Sequence, residues 1–221
     1  MPSPVSVLVC FAVEDEAGPF RKNLPSEIRC EVLITGMGRR NCERKFQAAL
    51  ATSRPSLVLS SGFAGGLNPN LETGTIVFDA APDSQLSASL QAFGARPGTF
   101  HCADQIAPTA DAKRKLREAT GADAVEMESA IIRGICAQRN IPAVTIRVIS
   151  DSAQEDLPLD FNRLMTAGQR LNYWKLAWHL ARFPTTVVKL MAFRRTVLGC
   201  ARNLDAALNH ALQDFRSERS V

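Results

Sequence analysis

The segment Val5–Ala12 reads VSVLVCFA, which is an unbroken apolar run with the length of one strand. A polar cluster, and then Pro19 and Phe20, follow it. Such a run is typical of a strand that is buried on both faces of a sheet. Four later segments are also predicted to be strands: Cys30–Thr35, Ser56–Ser61, Gly74–Ala80 and Pro142–Ile149.

Helical patterns alternate with these strands. Apolar residues recur at helical spacing in Asn41–Ala51 and Glu126–Arg139, and Asp111–Ala119 is a third, more charged helix. This alternation predicts an α/β fold, in which helices flank a mixed, mainly parallel central sheet. Ser84–Thr109 has no clear period, so we expect a loop or a short hairpin there.

The composition bounds the class of protein. The chain has 221 residues and a net charge of +4, and its six cysteines include no CxxC pair. These features indicate one globular domain with reduced thiols, and they predict a cytoplasmic protein. Because the three histidines lack metal-ligand spacing, we expect no metal. We also expect no cofactor. No apolar stretch reaches eighteen residues, so no membrane-spanning segment is expected.

The chain changes character after residue 160. From Phe161 to Leu204 there is no acidic residue, and two amphipathic helices are predicted on either side of Phe183-Pro184. We therefore divide the chain into an α/β core, residues 1–160, and a basic helical extension, residues 161–221, that packs on the core within the same domain. The segment Phe161–Leu204 carries eight cations: Arg163, Arg170, Lys175, Arg182, Lys189, Arg194, Arg195 and Arg202.

Two interpretations of this basic extension stay open. Its apolar stripe, which includes Leu171, Trp174 and Trp178, can pack against the core, as in most amphipathic helices. The same helices can instead dock on anionic lipid, which would place the protein at the inner face of the membrane. No nucleic-acid-binding motif accompanies the charge, so we expect no nucleic acid partner.

Polar and glycine-rich segments follow the predicted strands. In a parallel sheet the ligand lies beyond the carboxyl ends of the strands. The helix predicted from Glu126 would add Met127 and Glu128 from its first turn. We expect four further segments to line the same site: Glu14–Glu16, Thr35–Gly38, Ser60–Gly66 and Ser150–Asp151.

The two glycine-rich segments would let main-chain amides approach a ligand, because glycine lacks a side chain. Neither matches GxGxxG or GxxxxGKS/T, which disfavours dinucleotide and nucleoside triphosphate binding. Their candidate binding positions are Gly36, Phe63, Ala64 and Gly65. Each motif also has a purely structural interpretation: Gly62–Gly66 as a tight turn, Glu14–Glu16 as a solvated helix start, Asp151 as an N-cap and Met127 as a core residue.

The expected site draws carboxylates from three separate segments. One carboxylate can activate a water molecule, one can bind hydroxyl groups, and one can protonate a leaving group. A set of base, binder and acid suits the cleavage of a glycosidic bond through an oxocarbenium-like transition state.

Five motifs occur in order over Val5–Ala153: FAVEDE (11–16), TGMGRRN (35–41), SGFAGGL (61–67), AVEMES (124–129) and IRVISDSA (146–153). This set resembles the nucleoside phosphorylase and methylthioadenosine/S-adenosylhomocysteine nucleosidase superfamily. The resemblance implies a phosphorylase-type fold and an enzyme that releases the base from a purine nucleoside. A non-catalytic nucleoside-binding protein is the alternative from another class.

The resemblance implies the roles of three carboxylates. Glu16 would position or deprotonate the attacking water. Glu128 would accept hydrogen bonds from the ribose hydroxyls. Asp151 would protonate or hydrogen-bond N7 of the purine, which makes the base a neutral leaving group.

Further substrate contacts are implied in the same way. Met127 would pack against the ribose and the base, and Ser150 and Arg147 would support the acid. The main chain of Ile106 and Ala107 would face the adenine edge.

The attacking group stays open. Phe63 stands where methylthioadenosine-type nucleosidases have a small hydroxyl residue, and Ser60 stands where hexameric phosphorylases have a phosphate-binding arginine. Arg39 and Arg40 can meet phosphate or can be solvated. Water and phosphate are therefore both candidates, with phosphate as a co-substrate.

A narrower resemblance covers nearly the whole chain. The segments AKRKLR (112–117), TGA (120–122), DLP (156–158) and ARFP (181–184) look like the hopanoid-associated phosphorylase subgroup, whose members are assigned to removing adenine from adenosylhopane. The basic helices would then approach a membrane-resident substrate. A methylthioadenosine/S-adenosylhomocysteine-type nucleosidase is the alternative. A homodimer or larger assembly is also implied, because families of this type build their sites near subunit interfaces.

Overall fold

The computed structural model describes residues 6–25, 28–166, 168, 173–183 and 185–217. Predictions that involve Val5, Arg170, Leu171 or Pro184 lie outside this part of the chain. Within it there are eight strands and eight helices. None of the described helices is long and apolar enough to cross a membrane.

The strands agree with most of the predicted segments. They are β1 (Ser6–Phe11), β2 (Arg29–Ile34), β3 (Leu57–Gly66), β4 (Ile76–Asp79), β5 (Arg96–Pro97), β6 (Phe100–Cys102), β7 (Ala124–Glu126) and β8 (Ala143–Asp151).

The helices lie mainly between the strands and after them. They are α1 (Glu14–Lys22), α2 (Arg39–Thr52), α3 (Gln85–Ala92), α4 (Ala110–Thr120), α5 (Ser129–Gln138), α6 (Phe161–Leu164), α7 (Tyr173–Arg182) and α8 (Thr185–Ser217).

The strands form one sheet with the order β2-β1-β3-β8-β4-β5, to which β7 and β6 are added through β3. Strand β1 is parallel to β2 and β3, and β3 is parallel to β8. The pairs β3–β7 and β4–β8 are antiparallel. The prediction of an α/β fold with a mixed, mainly parallel sheet flanked by helices is confirmed. The carboxyl ends of β1, β3 and β8 therefore lie at one edge.

Two hydrophobic clusters hold helices on the sheet. Val9 belongs to one cluster with Phe20 of α1, whereas its neighbour Leu8 belongs to the other with Phe46 of α2 and Ile132 of α5. Neighbouring residues of a strand point to opposite faces. The strand β1 is therefore buried on both sides, as its unbroken apolar sequence predicts.

Strand β3 is longer than predicted. It continues through Ser61 to Gly66, so the interpretation of Gly62–Gly66 as a tight turn is wrong. Pairing with β8 and β7 keeps this glycine-rich segment extended. Gly62 has a φ angle of +141°, and a Cβ atom there would lie 2.6 Å from Nη1 of Arg147. Only glycine fits this close approach.

The helix predicted from Glu126 begins three residues later, at Ser129. Glu126 instead ends β7. Its Oε2 accepts hydrogen bonds from the amides of Glu128 and Ser129, at 2.9 and 2.7 Å, which holds the intervening bend. The prediction that Met127 and Glu128 lie in the first helical turn is therefore wrong. Both residues precede the helix.

The segment Ser84–Thr109 contains more regular structure than a loop or a hairpin. It includes α3, which the hydroxyl of Ser84 caps, and the short strands β5 and β6, which pair in parallel with β4 and β7. Leu86 and Leu90, one helical turn apart, are buried. The serines between them hide this spacing, which is why the pattern appears aperiodic.

The last helix, α8, has two halves with different surroundings. Its C-terminal half is part of the core, where Leu204, Leu208 and Leu212 are fully buried. In its N-terminal half, Val188 and Met191 are exposed. Within the described residues of α8, the large apolar side chains from Cys200 to Leu212 are buried. The division of the chain at residue 160 stays a prediction.

Candidate active site

Asp151 is the last residue of β8 and is paired in register with Gly65 of β3. Its Oδ1 accepts a hydrogen bond from the hydroxyl of Ser150 at 2.6 Å. Its Oδ2 lies 2.5 Å from Nζ of Lys113, and the Asp151 side chain is only 9% exposed. The N-cap interpretation of Asp151 is wrong, because the residue ends a strand.

The acidic cluster after β1 divides between solvent and the site. Glu14 and Asp15 are exposed, and Glu14 pairs with Arg21 at 2.9 Å. These two residues fit a solvated helix start. Glu16, in contrast, is 5% exposed and faces the interior.

Main-chain amides hold both carboxylate oxygens of Glu16. Oε2 accepts hydrogen bonds from the amides of Ala12 and Val13, at 2.8 and 3.1 Å, and Oε1 accepts one from the amide of Phe63 at 2.8 Å. Burial raises the pKa of Glu16, although the Arg147 charge and these three amides oppose the shift. A buried carboxylate with a raised pKa is suited to act as a general base.

Glu128 lies in the bend before α5, opposite the glycine-rich turn that follows β2. The amide of Gly38 donates a hydrogen bond to Oε1 of Glu128 at 2.8 Å. Burial raises the pKa of Glu128 to about 7, against the attraction of Arg147, and the nearby Glu126 adds to the rise. Gly36 lies in the same turn, with a φ angle of +80°.

Arg147 of β8 is the shared counterion of this region and is 1% exposed. Its Nη2 lies 2.6 Å from Oε2 of Glu126 and 3.7 Å from Oε2 of Glu128. Its Nη1 donates to the carbonyl of Ser61 at 3.0 Å. Burial alone lowers the pKa of Arg147, but the surrounding glutamates, Glu16 among them, raise it above its ordinary value. The guanidinium therefore stays charged.

Asp151 is not among these contacts of Arg147, and the expected role of Arg147 as a support of the acid stays a prediction. The guanidinium is held by Glu126 and the carbonyl of Ser61, and Arg147 stands four residues before Asp151 on β8. Ser150 does contact Asp151, and its hydroxyl also lies 3.3 Å from the carbonyl of Ala64. Of the two predicted supports, only the serine touches the acid.

The remaining predicted binding residues divide into two groups. Phe63, Gly65 and the half-buried Met127 lie beside the carboxylates, on β3 and next to Glu128. Met127 is not part of a described core cluster, which argues against its interpretation as a core residue. Ile106 and Ala107 form the second group, on the loop between β6 and α4.

The main chain of Ile106 is engaged by the side chain of Asn162. The amide of Ile106 donates to Oδ1 of Asn162 at 3.0 Å, and Nδ2 of Asn162 donates to the carbonyl of Ile106 at 2.8 Å. A carboxamide presents one acceptor and one donor. The N1 and N6 edge of adenine presents the same pair.

Sequence reasoning missed three residues of this region: Lys113, Glu126 and Asn162. The position of Glu126 in the motif AVEMES is visible in the sequence, but its contact with Arg147 depends on the pairing of β7 with β3. The burial of Lys113 could not be recognised, because it stands in a run of charged residues.

The site holds more acidic than basic groups. Glu16, Glu126, Glu128 and Asp151 are buried with only two buried cations, Arg147 and Lys113. At the position where phosphorylases place an arginine, the hydroxyl of Ser60 accepts a hydrogen bond from Nη2 of Arg147 at 3.3 Å.

Arg39 and Arg40, the residues considered for phosphate, are both exposed at the start of α2. Arg39 lies 3.6 Å from Asp104, and Arg40 lines an open groove with Arg44 and Arg139. These surroundings fit the interpretation that both arginines are solvated and do not contact phosphate.

Comparison with known proteins agrees with this geometry. A profile of the Phosphorylase superfamily matches residues 76–172. The 5'-methylthioadenosine/S-adenosylhomocysteine nucleosidase of Anoxybacillus flavithermus is 29% identical over 168 residues, which are 61% of this chain and 72% of the relative. The nucleosidase of the same name from Geobacillus kaustophilus is 27% identical over 210 residues, 80% of this chain and 86% of the relative.

Solved structures share the fold. The 5'-methylthioadenosine/S-adenosylhomocysteine nucleosidase of Helicobacter pylori, crystallised with butyl-thio-DADMe-Immucillin-A, matches with a TM-score of 0.71 and 16% identity, covering 95% of this chain and 98% of that chain. The futalosine hydrolase of the same organism matches with a TM-score of 0.70 and 16% identity, covering 95% and 97%. The family profile and the curated relatives support the resemblance to the nucleoside phosphorylase and nucleosidase superfamily, and the solved structures show the same fold.

Proposed function

We propose that this protein is an enzyme that cleaves the N-glycosidic bond of an adenosine-type nucleoside. One observation carries the proposal: buried carboxylates from three segments, Glu16, Glu128 and Asp151, lie at the edge where β1, β3 and β8 end. The curated relatives are named as nucleosidases of such nucleosides, which supports the same assignment.

The three carboxylates have distinct tasks in this proposal. Glu16 removes a proton from the attacking group, and Glu128 accepts hydrogen bonds from the ribose hydroxyls. Asp151 donates a proton to N7 as the C1′–N9 bond breaks and its electron pair moves to the base. The side chains of Met127 and Phe63 pack against the bound nucleoside.

The base edge has a further contact in this proposal. Once the side chain of Asn162 turns away, the amide and carbonyl of Ile106 are available to N1 and N6 of adenine. Ala107 continues the same stretch of main chain.

Water is the first candidate for the attacking group. Both buried cations of the site, Lys113 and Arg147, are already paired with carboxylates, so neither is left to bind a phosphate dianion. Phosphorolysis is the second candidate, and it rests on the resemblance to phosphorylases. Incubation with and without phosphate separates them: hydrolysis releases free ribose products at equal rates, whereas phosphorolysis requires phosphate and yields the ribose 1-phosphate.

The 5′ substituent of the nucleoside is tested in the same assay. 5'-Methylthioadenosine, S-adenosylhomocysteine and adenosylhopane are compared by their kcat/KM values. The narrower sequence resemblance predicts adenosylhopane as the preferred substrate, while the curated relatives favour the first two. Binding of all three without release of base would instead identify a nucleoside-binding protein.

A lipid-facing role of the helical extension forms the second part of the proposal. Of the eight large apolar side chains exposed in the described residues, seven lie between residues 174 and 198, Trp174 being 87% and Trp178 69% exposed. Lys189, Arg194 and Arg195 are exposed on the same stretch of chain. Aromatic rings beside cations fit the surface of an anionic bilayer, where each cation contributes roughly 1 kcal/mol.

Vesicle co-sedimentation tests this docking. The protein is expected to bind phosphatidylglycerol vesicles, to bind less as salt rises, and to lose binding in Arg194→Glu/Arg195→Glu, while the exposed control Arg44→Glu on α2 keeps it. No binding to any vesicle contradicts the proposal.

Light scattering tests the prediction of a homodimer or larger assembly with the same proteins. If the double variant becomes monomeric, the extension pairs two copies and does not face lipid.

A further inference from the structure

Lys113 of α4 is, with Arg147, one of the two buried cations described in this region, and its side chain is completely buried. A lysine is almost never fully buried unless it is paired. Its neighbours on the same helix, Arg114 and Lys115, are exposed and pair with surface carboxylates. The burial of Lys113 therefore needs its own explanation.

All contacts of the Lys113 ammonium lie at the end of β8 and the turn that follows it. Nζ donates hydrogen bonds to the carbonyls of Ser152 and Glu155, both at 2.7 Å, and lies 2.5 Å from Oδ2 of Asp151. An ammonium group has three donors. Two of them bond to the carbonyls, and the contact with Asp151 is an ion pair.

The two carbonyl contacts alone do not require a charge. A neutral donor could hold the turn, and burying an ammonium is costly without a counterion. The carboxylate of Asp151 supplies that counterion. With Ser150 bound to Oδ1 and Lys113 at Oδ2, both oxygens of the acid are anchored.

We propose that Lys113 is a positioning residue for the general acid Asp151, an inference that rests on the proposed function. Asp151, ionised in its pair with Lys113, takes up a proton from solvent before the chemical step. When it gives this proton to N7, the electron pair of the breaking C1′–N9 bond moves to the base, and the negative charge returns to the Asp151 carboxylate. The fixed ammonium stabilises that charge, and it needs no rearrangement to do so.

This role separates substrates by their leaving groups. An adenosine-type nucleoside needs protonation of the base, whereas 4-nitrophenyl β-ribofuranoside releases a stable phenolate without it. A residue that acts through Asp151 affects only the first substrate. A residue that merely holds the fold affects both.

The test compares Lys113→Met with the surface control Lys115→Met on both substrates. We expect Lys113→Met to lower kcat for the nucleoside on the order of 10- to 100-fold, with little change in KM or in riboside cleavage. Lys113→Arg, which keeps the charge, should recover part of the loss. Lys115→Met should match the wild type.

A double variant gives an independent result with the nucleoside alone. If Lys113 acts through Asp151, Lys113→Met/Asp151→Asn is no slower than Asp151→Asn. Lys113→Gln, which keeps a donor for the two carbonyls, replaces Lys113→Met if the latter does not fold. Equal losses on both substrates, or additive losses in the double variant, overturn the inference. If Asp151→Asn itself leaves nucleoside cleavage unchanged, the proposed function fails instead.

Discussion

The amide of Phe63 donates a hydrogen bond to Oε1 of Glu16 at 2.8 Å, although 47 residues separate them in the chain. This bond joins the glycine-rich end of β3 to the first turn of α1. It forms because Gly62, just before Phe63, leaves space for the glutamate. The glycine-rich segment thus serves to admit a carboxylate.

Gly62→Ala is expected to abolish most of the activity. The new Cβ would lie 2.7 Å from Oε1 of Glu16 and 2.6 Å from Nη1 of Arg147, at a φ angle that disfavours alanine. Steady-state kinetics should show a loss of at least about 100-fold in kcat, as expected for a displaced general base. Gly134→Ala, in α5 with open space around it, is the control and should be active and up to about 1 kcal/mol more stable. Full activity of Gly62→Ala would disprove the proposed placement of Glu16.

The pH dependence of KM is expected to follow Glu128. Its pKa of about 7 means that the carboxylate, the form that accepts from ribose hydroxyls, becomes populated as pH rises through 7. KM for the nucleoside should therefore fall between pH 6 and pH 8. In Glu128→Gln, KM should be higher and nearly constant over this range. The same dependence in both proteins would contradict the assignment.

The difference in stability between Glu128→Gln and the wild type should also depend on pH. Because folding raises the pKa of Glu128 from 4.5 to about 7, its contribution to stability is present below pH 4.5 and is lost as pH rises through 7. The Gln variant should therefore unfold at a higher temperature than the wild type at pH 8, with a smaller difference at pH 5. Thermal unfolding followed by circular dichroism measures both.

Arg147→Met is expected to destabilise the protein by about 3–5 kcal/mol. The substitution leaves the buried carboxylate of Glu126 without its partner at 2.6 Å. Urea unfolding should show this loss, while Arg21→Met, which breaks the exposed pair with Glu14, should cost about 1 kcal/mol or less. Similar small losses in both variants would show that Arg147 is not the counterion of the buried glutamates.

Asn162→Ala is expected to lower KM for adenosine-type nucleosides. The variant frees the amide and carbonyl of Ile106 from their two bonds with the side chain, at 3.0 and 2.8 Å. One net hydrogen bond is worth about 1 kcal/mol, so we expect a decrease of about 5-fold. Asn203→Ala, which removes a hydrogen bond from an exposed side chain of α8 to the carbonyl of Gly74, is the control. A higher KM in Asn162→Ala would mean that the asparagine shapes the pocket and does not compete with the base.

The sequence predicted the fold well because the strands are nearly continuous apolar runs. β1 and β8 are buried on both faces, so their apolar composition alone identifies them as strands. The polar residues that follow such strands then indicate where the site lies. The length of β3 was missed because glycine suggests a turn, whereas here pairing with β7 and β8 keeps Gly62–Gly66 extended.

The ion pairs of the site could not be predicted from local patterns. Lys113 and Asp151 are 38 positions apart, and Arg147 meets Glu126 only because β8 and β7 flank β3. Sheet order brings these groups together. The exposed half of α8 was missed for a related reason, since one amphipathic pattern continues from the exposed half into the buried one.

The release of adenine by the wild type and by Asp151→Asn tests the central claim most directly. With 5'-methylthioadenosine, S-adenosylhomocysteine and adenosylhopane as substrates, the wild type should release adenine from at least one of them. The variant should do so on the order of 100-fold more slowly, because it cannot protonate N7. Its circular dichroism spectrum should be unchanged. Failure of the wild type to release adenine from all three, or equal rates in the two proteins, would contradict glycosidic cleavage with Asp151 as the acid.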